Sequence, residues 1–99
     1  MARLRFMPAA RSDLSEIRRH IAKDDPVRAK SFIEEIRGHC RRLAEHSGMH
    51  PVATRLDPKA RKAVHGAYLI FYDAEDRGIL VLRVIHSARD LSAIGLREP

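Results

Sequence analysis

The span from Tyr68 to Asp90 constrains the fold of this chain more than any other part of it. Two apolar runs, Tyr68-Leu-Ile-Phe-Tyr72 and Ile79-Leu-Val-Leu82, flank a short acidic turn closed by Gly78. That is the pattern of an antiparallel hairpin. Its second strand is not wholly apolar, because Arg83 interrupts it and His86-Ser87-Ala88-Arg89-Asp90 ends it. An arginine among Ile, Leu and Val needs a partner or a task. The polar cluster at the end of this rigid hairpin is therefore the first place to look for function.

Upstream, Arg3-Leu4-Arg5-Phe6-Met7 alternates basic and apolar residues and reads as a short strand with Leu4 and Phe6 buried. Pro8 ends it and starts a helix. There Ala10, Leu14, Ile17 and Ile21 recur at helical spacing as one apolar stripe. Asp24-Asp25-Pro26 supplies an acidic N-cap and an N1 proline for a second helix. Its stripe of Ala29, Phe32, Ile33, Ile36, Cys40, Leu43 and Ala44 runs to about His46. So short a link makes the two helices an antiparallel hairpin. From Ser47 to about Lys62 the periodicity vanishes, and Gly48, Pro51 and Pro58 mark a long loop with room for one helical turn after Asp57. Ala63-Val64-His65 is the next strand and Gly66-Ala67 a tight turn. The tail from Leu91 has too few apolar residues to anchor it firmly. The expected fold is α+β: an N-terminal strand, an antiparallel two-helix hairpin, then a three-stranded antiparallel meander, with the helices on one face of a mainly antiparallel sheet. Ninety-nine residues without repeats make one domain, with its core at about residues 3–91.

Hydrophobic residues are 44% of the chain and aromatic ones 5%, so Leu, Ile, Val and Ala must build the core. The net charge of +6 is uneven. Arg55, Lys59, Arg61 and Lys62 outweigh Asp57, whereas Asp73, Glu75 and Asp76 make the hairpin tip acidic. Such a balance suits nucleic acid, a protein that handles it or an acidic partner; it equally suits a merely soluble basic surface. The lone Cys40 excludes an intrachain disulfide and fits a reducing cytosol. No apolar run approaches the ~20 residues of a membrane span, and no signal-peptide core follows Met1-Ala2-Arg3. A cytoplasmic protein is expected.

The six histidines lack metal-ligand spacing: Gly48 and Pro51 break any helix that would pair His46 with His50, and His39 and Cys40 point to different helix faces. No metal and no cofactor are implied. Cys40 lies on the apolar stripe, as a buried inert thiol would. Glycine-rich phosphate loops, nucleophile elbows and HExxH are absent. The remaining candidates are Arg61, Arg83, His86, Arg89 and Asp90. Arg83 has a structural alternative, pairing with a carboxylate such as Asp90 or Asp73. For His86 the alternative is bonding to backbone groups of the following turn. A plain nucleic-acid-binding module is a further reading, although a chain without tryptophan and with apolar strands is poorly suited to base stacking.

The stretches Met7 to Ile17, Ala29 to Ile33, Gly66 to Tyr72 and Leu82-Arg-Val-Ile-His86-Ser-Ala-Arg89-Asp90-Leu91 resemble the ParE toxins of the RelE/ParE superfamily of type II toxin–antitoxin modules. The resemblance runs from about residue 3 to residue 91. It implies the fold derived above, inhibition of DNA gyrase, neutralisation by a ParD-type antitoxin, and contact with DNA only through these partners. Arg61, Arg83, His86, Arg89 and Asp90 would then meet the target. Leu14, Ile17, Ile21, Phe32 and Ile36 are the residues expected to meet an antitoxin helix laid along the α-hairpin, although most must also face the core. The competing RelE-like branch cleaves mRNA on the ribosome, which needs a base, an acid and cations for the phosphate. In that branch an arginine commonly follows the glycine-aromatic pair and a tyrosine or histidine stands near the C-terminus. Here Leu69 follows Tyr68 and no tyrosine follows Tyr72, which disfavours nuclease chemistry. Met7 stands where a serine often caps the first helix.

Overall fold

A computed structural model describes residues 2–46 and 57–97. The order is β1 (Arg3–Phe6), α1 (Pro8–Ala22), α2 (Pro26–Glu45), β2 (Arg61–His65), β3 (Tyr68–Glu75), β4 (Gly78–His86) and a 3-10 turn, η1 (Leu91–Ala93). Both helices begin as their sequences dictate, with proline in the first turn. Asp25 Oδ1 accepts from Arg28 N at 2.9 Å, whereas Met7 offers α1 no side-chain cap. Much of the loop expected over 47–62, including Gly48, Pro51 and Arg55, lies outside the described residues. Its end differs from expectation in two respects. Asp57 organises a bend by accepting from Lys59 N and Ala60 N, so no helical turn follows Pro58. Arg61 is already in β2.

The meander β2–β3–β4 is antiparallel, and β1 completes a four-stranded sheet of order β1-β4-β3-β2 by pairing parallel to β4. Gly78, opposite Arg3, is where that pairing is tightest: a Cβ there would sit 1.7 Å from the Arg3 carbonyl oxygen. Gly78→Ala is expected to push β1 away from β4, costing about 2 kcal/mol in the manner of overpacking. Faster exchange of the Met7 amide, which donates to Val81 O, would report it. Unchanged exchange would mean that β1 is held elsewhere.

The helices cover one face of the sheet. Leu14, Ile17, Ile33, Ile36 and Cys40 meet Ile70, Tyr72, Val81 and Val84 in one cluster. Leu4 and Phe6 are half-buried against it. Val81 and Val84 are three apart, so strict alternation would put them on opposite faces. A β-bulge resolves this: Tyr72 pairs with Val81 and Phe71 with Arg83, leaving Leu82 as the extra residue. The opposite face carries a second cluster of Leu69, Phe71, Leu82, Ile85, Ala60 and Leu96. Here the tail departs from expectation. Leu96 is buried, Leu91 and Ile94 pack beside it, and the Arg97 guanidinium bridges Asp57 and Asp73. Few apolar residues suffice because each meets an apolar surface that no other described element covers.

Candidate functional site

The polar residues of β4 separate into different roles. Arg83 donates to Asp13 of α1, through Nε to Oδ2 at 2.8 Å and Nη2 to Oδ1 at 2.9 Å. Asp13 Oδ2 also accepts from Val84 N at 2.9 Å. This carboxylate is 6% exposed. Its hydrogen bonds hold the Arg83 guanidinium charged, raising its pKa further. The partner of Arg83 is therefore neither Asp90 nor Asp73. Those two are engaged elsewhere, Asp73 by Arg97 and Asp90 in capping η1, where it accepts from Ser92 N at 3.0 Å and Ser92 Oγ at 2.7 Å. The same bonds to Ser92 lower the pKa of Asp90.

His86 and Arg89 remain exposed at the end of β4. His86 Nδ1 accepts from Ala88 N at 3.0 Å. With Nδ1 accepting, Nε2 is the ring nitrogen left to donate. Arg61 is not brought to this end. His65, Tyr68 and His86 lie side by side across the sheet, and Arg61 stands four residues further along β2, roughly 13 Å away at the usual strand rise. Asp90 points its carboxylate back into its own turn.

Alongside His86 runs a row of rings from three strands and α2. His39 Nδ1 lies 2.9 Å from His65 Nδ1, and the Phe32 centroid is 5.6 Å from those of His65 and Tyr68. Tyr68 and His86 meet edge to face at 5.1 Å. Arg28 caps the row over Phe32 at 5.2 Å and pairs with Glu35. Between α1 and the ends of β3 and β4 lies a cleft of about 170 Å³, floored by Ile17 and Tyr68 and rimmed by His20, His86 and Arg89.

Of the residues expected at an antitoxin surface, Leu14, Ile17 and Ile36 belong to the core, at 3%, 8% and 0% exposure. Ile21 and Phe32 are half-buried at its border. The helix stripe faces the sheet, so most of its side chains are turned away from the outer surface, although Ile17 also reaches the cleft. Asp13 was not singled out from sequence, yet it lies three residues after Ala10 and four before Ile17, as the only acid on that stripe. Cys40 is fully buried, and burial pushes its thiol up to about 12, which leaves it without nucleophilic character. Among the described residues no three His, Cys, Asp or Glu side chains are placed to hold a metal ion, and no helix is long and apolar enough to cross a membrane.

A two-helix hairpin on one face of this four-stranded sheet places the chain in the RelE/ParE-like class of small α+β domains. The sequence profile of the family described as "ParE toxin of type II toxin-antitoxin system, parDE" matches residues 4–91, and the chain belongs to that family. A chain in the solved structure of the chromosomal ParDE TA system from P. aeruginosa superposes with a TM-score of 0.73 at 18% identity, covering 87% of this chain and 96% of that one. At that identity the likeness speaks for the fold alone. No curated protein matches the sequence.

Proposed function

We propose that this toxin-family protein acts by binding DNA gyrase and stabilising its DNA-cleaved state, and that a ParD-type antitoxin neutralises it in the cytoplasm. The observation that carries this reading is membership of the ParE toxin family over residues 4–91. The placement of the polar residues supports action by binding, with no covalent chemistry of its own. Arg83 is committed to Asp13, Tyr72 is fully buried, and His86 Nδ1 is committed to Ala88 N. A phosphoryl-transfer site would need such groups free to converge on one phosphate. Contact with DNA is then made only through the partner proteins.

Purified protein incubated with gyrase, ATP and supercoiled plasmid is expected to yield gyrase-dependent double-strand breaks, and expressing cells should filament. Translation-dependent mRNA cuts with intact DNA would instead establish a RelE-type ribonuclease. Folded protein giving neither effect would remove both activities.

A further inference from the structure

We propose that the contact between His39 of α2 and His65 at the end of the edge strand β2 is an acid-released latch, closed while the two rings together carry at most one positive charge and opened by the second proton. The latch belongs to the fold and does not depend on the target assigned above.

The two half-buried rings meet Nδ1 to Nδ1 at 2.9 Å, with their centroids 5.1 Å apart. An imidazole nitrogen either carries a hydrogen and donates or offers a lone pair and accepts. At this distance one hydrogen lies between the two nitrogens, so one ring donates and the other accepts. In the neutral pair the donor ring has its hydrogen on Nδ1 and the acceptor ring has its own on Nε2. A first added proton goes to Nε2 of the donor ring, and the bond survives with the assistance of the charge. A second can go only to Nδ1 of the acceptor ring. Two N–H groups then face each other, the hydrogen bond is gone, and two like charges stand side by side. The contact must open.

The described surroundings favour the first charge and supply no net counter-charge for the second. Phe32 of α2 lies edge-on to His65 at 5.6 Å, and Tyr68 of β3 stands opposite His65 in register. Charged groups reach the pair from the groove beside α2, where Glu34, Glu35 and Arg42 flank His65. Glu35 is held below the usual carboxylate range by Arg28 first and by His65 in smaller part, so its carboxylate favours a charge on that ring. Arg28 and Arg42 balance Glu34 and Glu35. Across the sheet, His86 of β4 is separated from His65 by the Tyr68 ring, which it meets at 5.1 Å. Along β2 itself, Arg61 and Lys62 add only positive charge. In the unfolded chain both rings protonate below the ordinary histidine range near about 6.5. There the unfolded state binds one proton more than the latched state at these rings, so stability falls as the pH falls.

The test takes the full-length protein from about pH 7.5 to about pH 5, across the ordinary histidine range. Nitrogen NMR of the imidazoles counts ring hydrogens, and amide exchange follows β2 near His65. While the latch is closed, at most three of the four nitrogens in the two rings carry hydrogen. The fourth hydrogen should appear only together with faster exchange of those amides. Urea unfolding gives a second reading. One proton of difference changes the unfolding constant by up to about tenfold per pH unit. Over the whole span the wild-type constant should rise at least about fivefold more than that of His39→Gln, in which only one ring titrates in either state. His20→Gln, at an exposed histidine of α1, should follow the wild type. A fourth ring hydrogen without loss of protection would overturn the proposal, as would parallel curves for the wild type and His39→Gln. Should His39→Gln fail to fold, the ring count and exchange of the wild-type protein decide alone.

Discussion

Replacing Arg83 with alanine is expected to destabilise the protein by about 3 kcal/mol or more, among the largest losses available to a single polar side chain here. The magnitude follows from what is left behind. Asp13 is 6% exposed and accepts three hydrogen bonds, two from Arg83 and one from Val84 N. Without the guanidinium the carboxylate stays on the buried face of α1 with a single backbone donor. Because α1 and β4 are 70 residues apart in sequence at this contact, the pair also sets how the helix sits on the sheet. Arg83→Lys should recover only part of the loss, since an ammonium cannot reproduce the two-pronged contact. Replacing both partners by apolar residues, Asp13→Leu with Arg83→Met, should be much milder than either single change, because no charge is stranded. Urea unfolding of these variants measures this directly. An Arg83→Ala protein with an unchanged midpoint would show that Asp13 finds water or another donor. By contrast Arg89, exposed and outside this pair, should change stability by less than about 1 kcal/mol when substituted. Lost toxicity in Arg83→Ala is then accounted for by lost fold, and lost toxicity in Arg89→Glu by the surface.

The same arginine illustrates what was legible in the sequence. That Arg83 needed a partner followed from its neighbours, and the helices, the hairpin and the Asp25 cap followed from periodicity and capping chemistry. The identity of the partner did not follow. Sequence proximity favoured Asp73 and Asp90, but the partner lies on α1, 70 residues away, where tertiary packing alone brings it to β4. Asp13 did leave a trace as an acid within a helical apolar stripe, where an isolated charge would be costly. Similarly, Asp73, Glu75 and Asp76 read as an acidic hairpin tip, yet Asp73 is held by Arg97 and Glu75 by Arg5. Charge counts carry no information on which charges are already paired. The cleft was legible only in part: His86 and Arg89 were identified, while His20 and Tyr68 join them through tertiary packing alone.

Removing residues 91–99 is expected to cost at least as much as Arg83→Ala, although the sequence suggested a loosely held tail. Leu96 is 4% exposed against Phe71, Leu82 and Ile85, and losing one buried leucine side chain costs about 2–5 kcal/mol. The truncation also removes Leu91 and Ile94, so an apolar sheet face is opened to water and should bind a hydrophobic dye. Two point variants divide the effect. Leu96→Ala should carry most of it. Arg97→Ala should cost about 1 kcal/mol, since its side chain is 42% exposed. The second variant has its own signature in acid. Bonds from Arg97 and from the Lys59 amide hold the Asp57 carboxyl down at about 2, against an ordinary 3.8. A depressed carboxyl favours the folded state above its unfolded pKa, so the contribution is complete above 3.8 and disappears as the pH falls through about 2. Wild-type stability should therefore decline across that window more steeply than that of Arg97→Ala, with the two curves converging at its acid end. Parallel curves would mean that Arg97 does not set the titration of Asp57, and a truncated protein with an undiminished midpoint would leave the tail a passenger on the sheet.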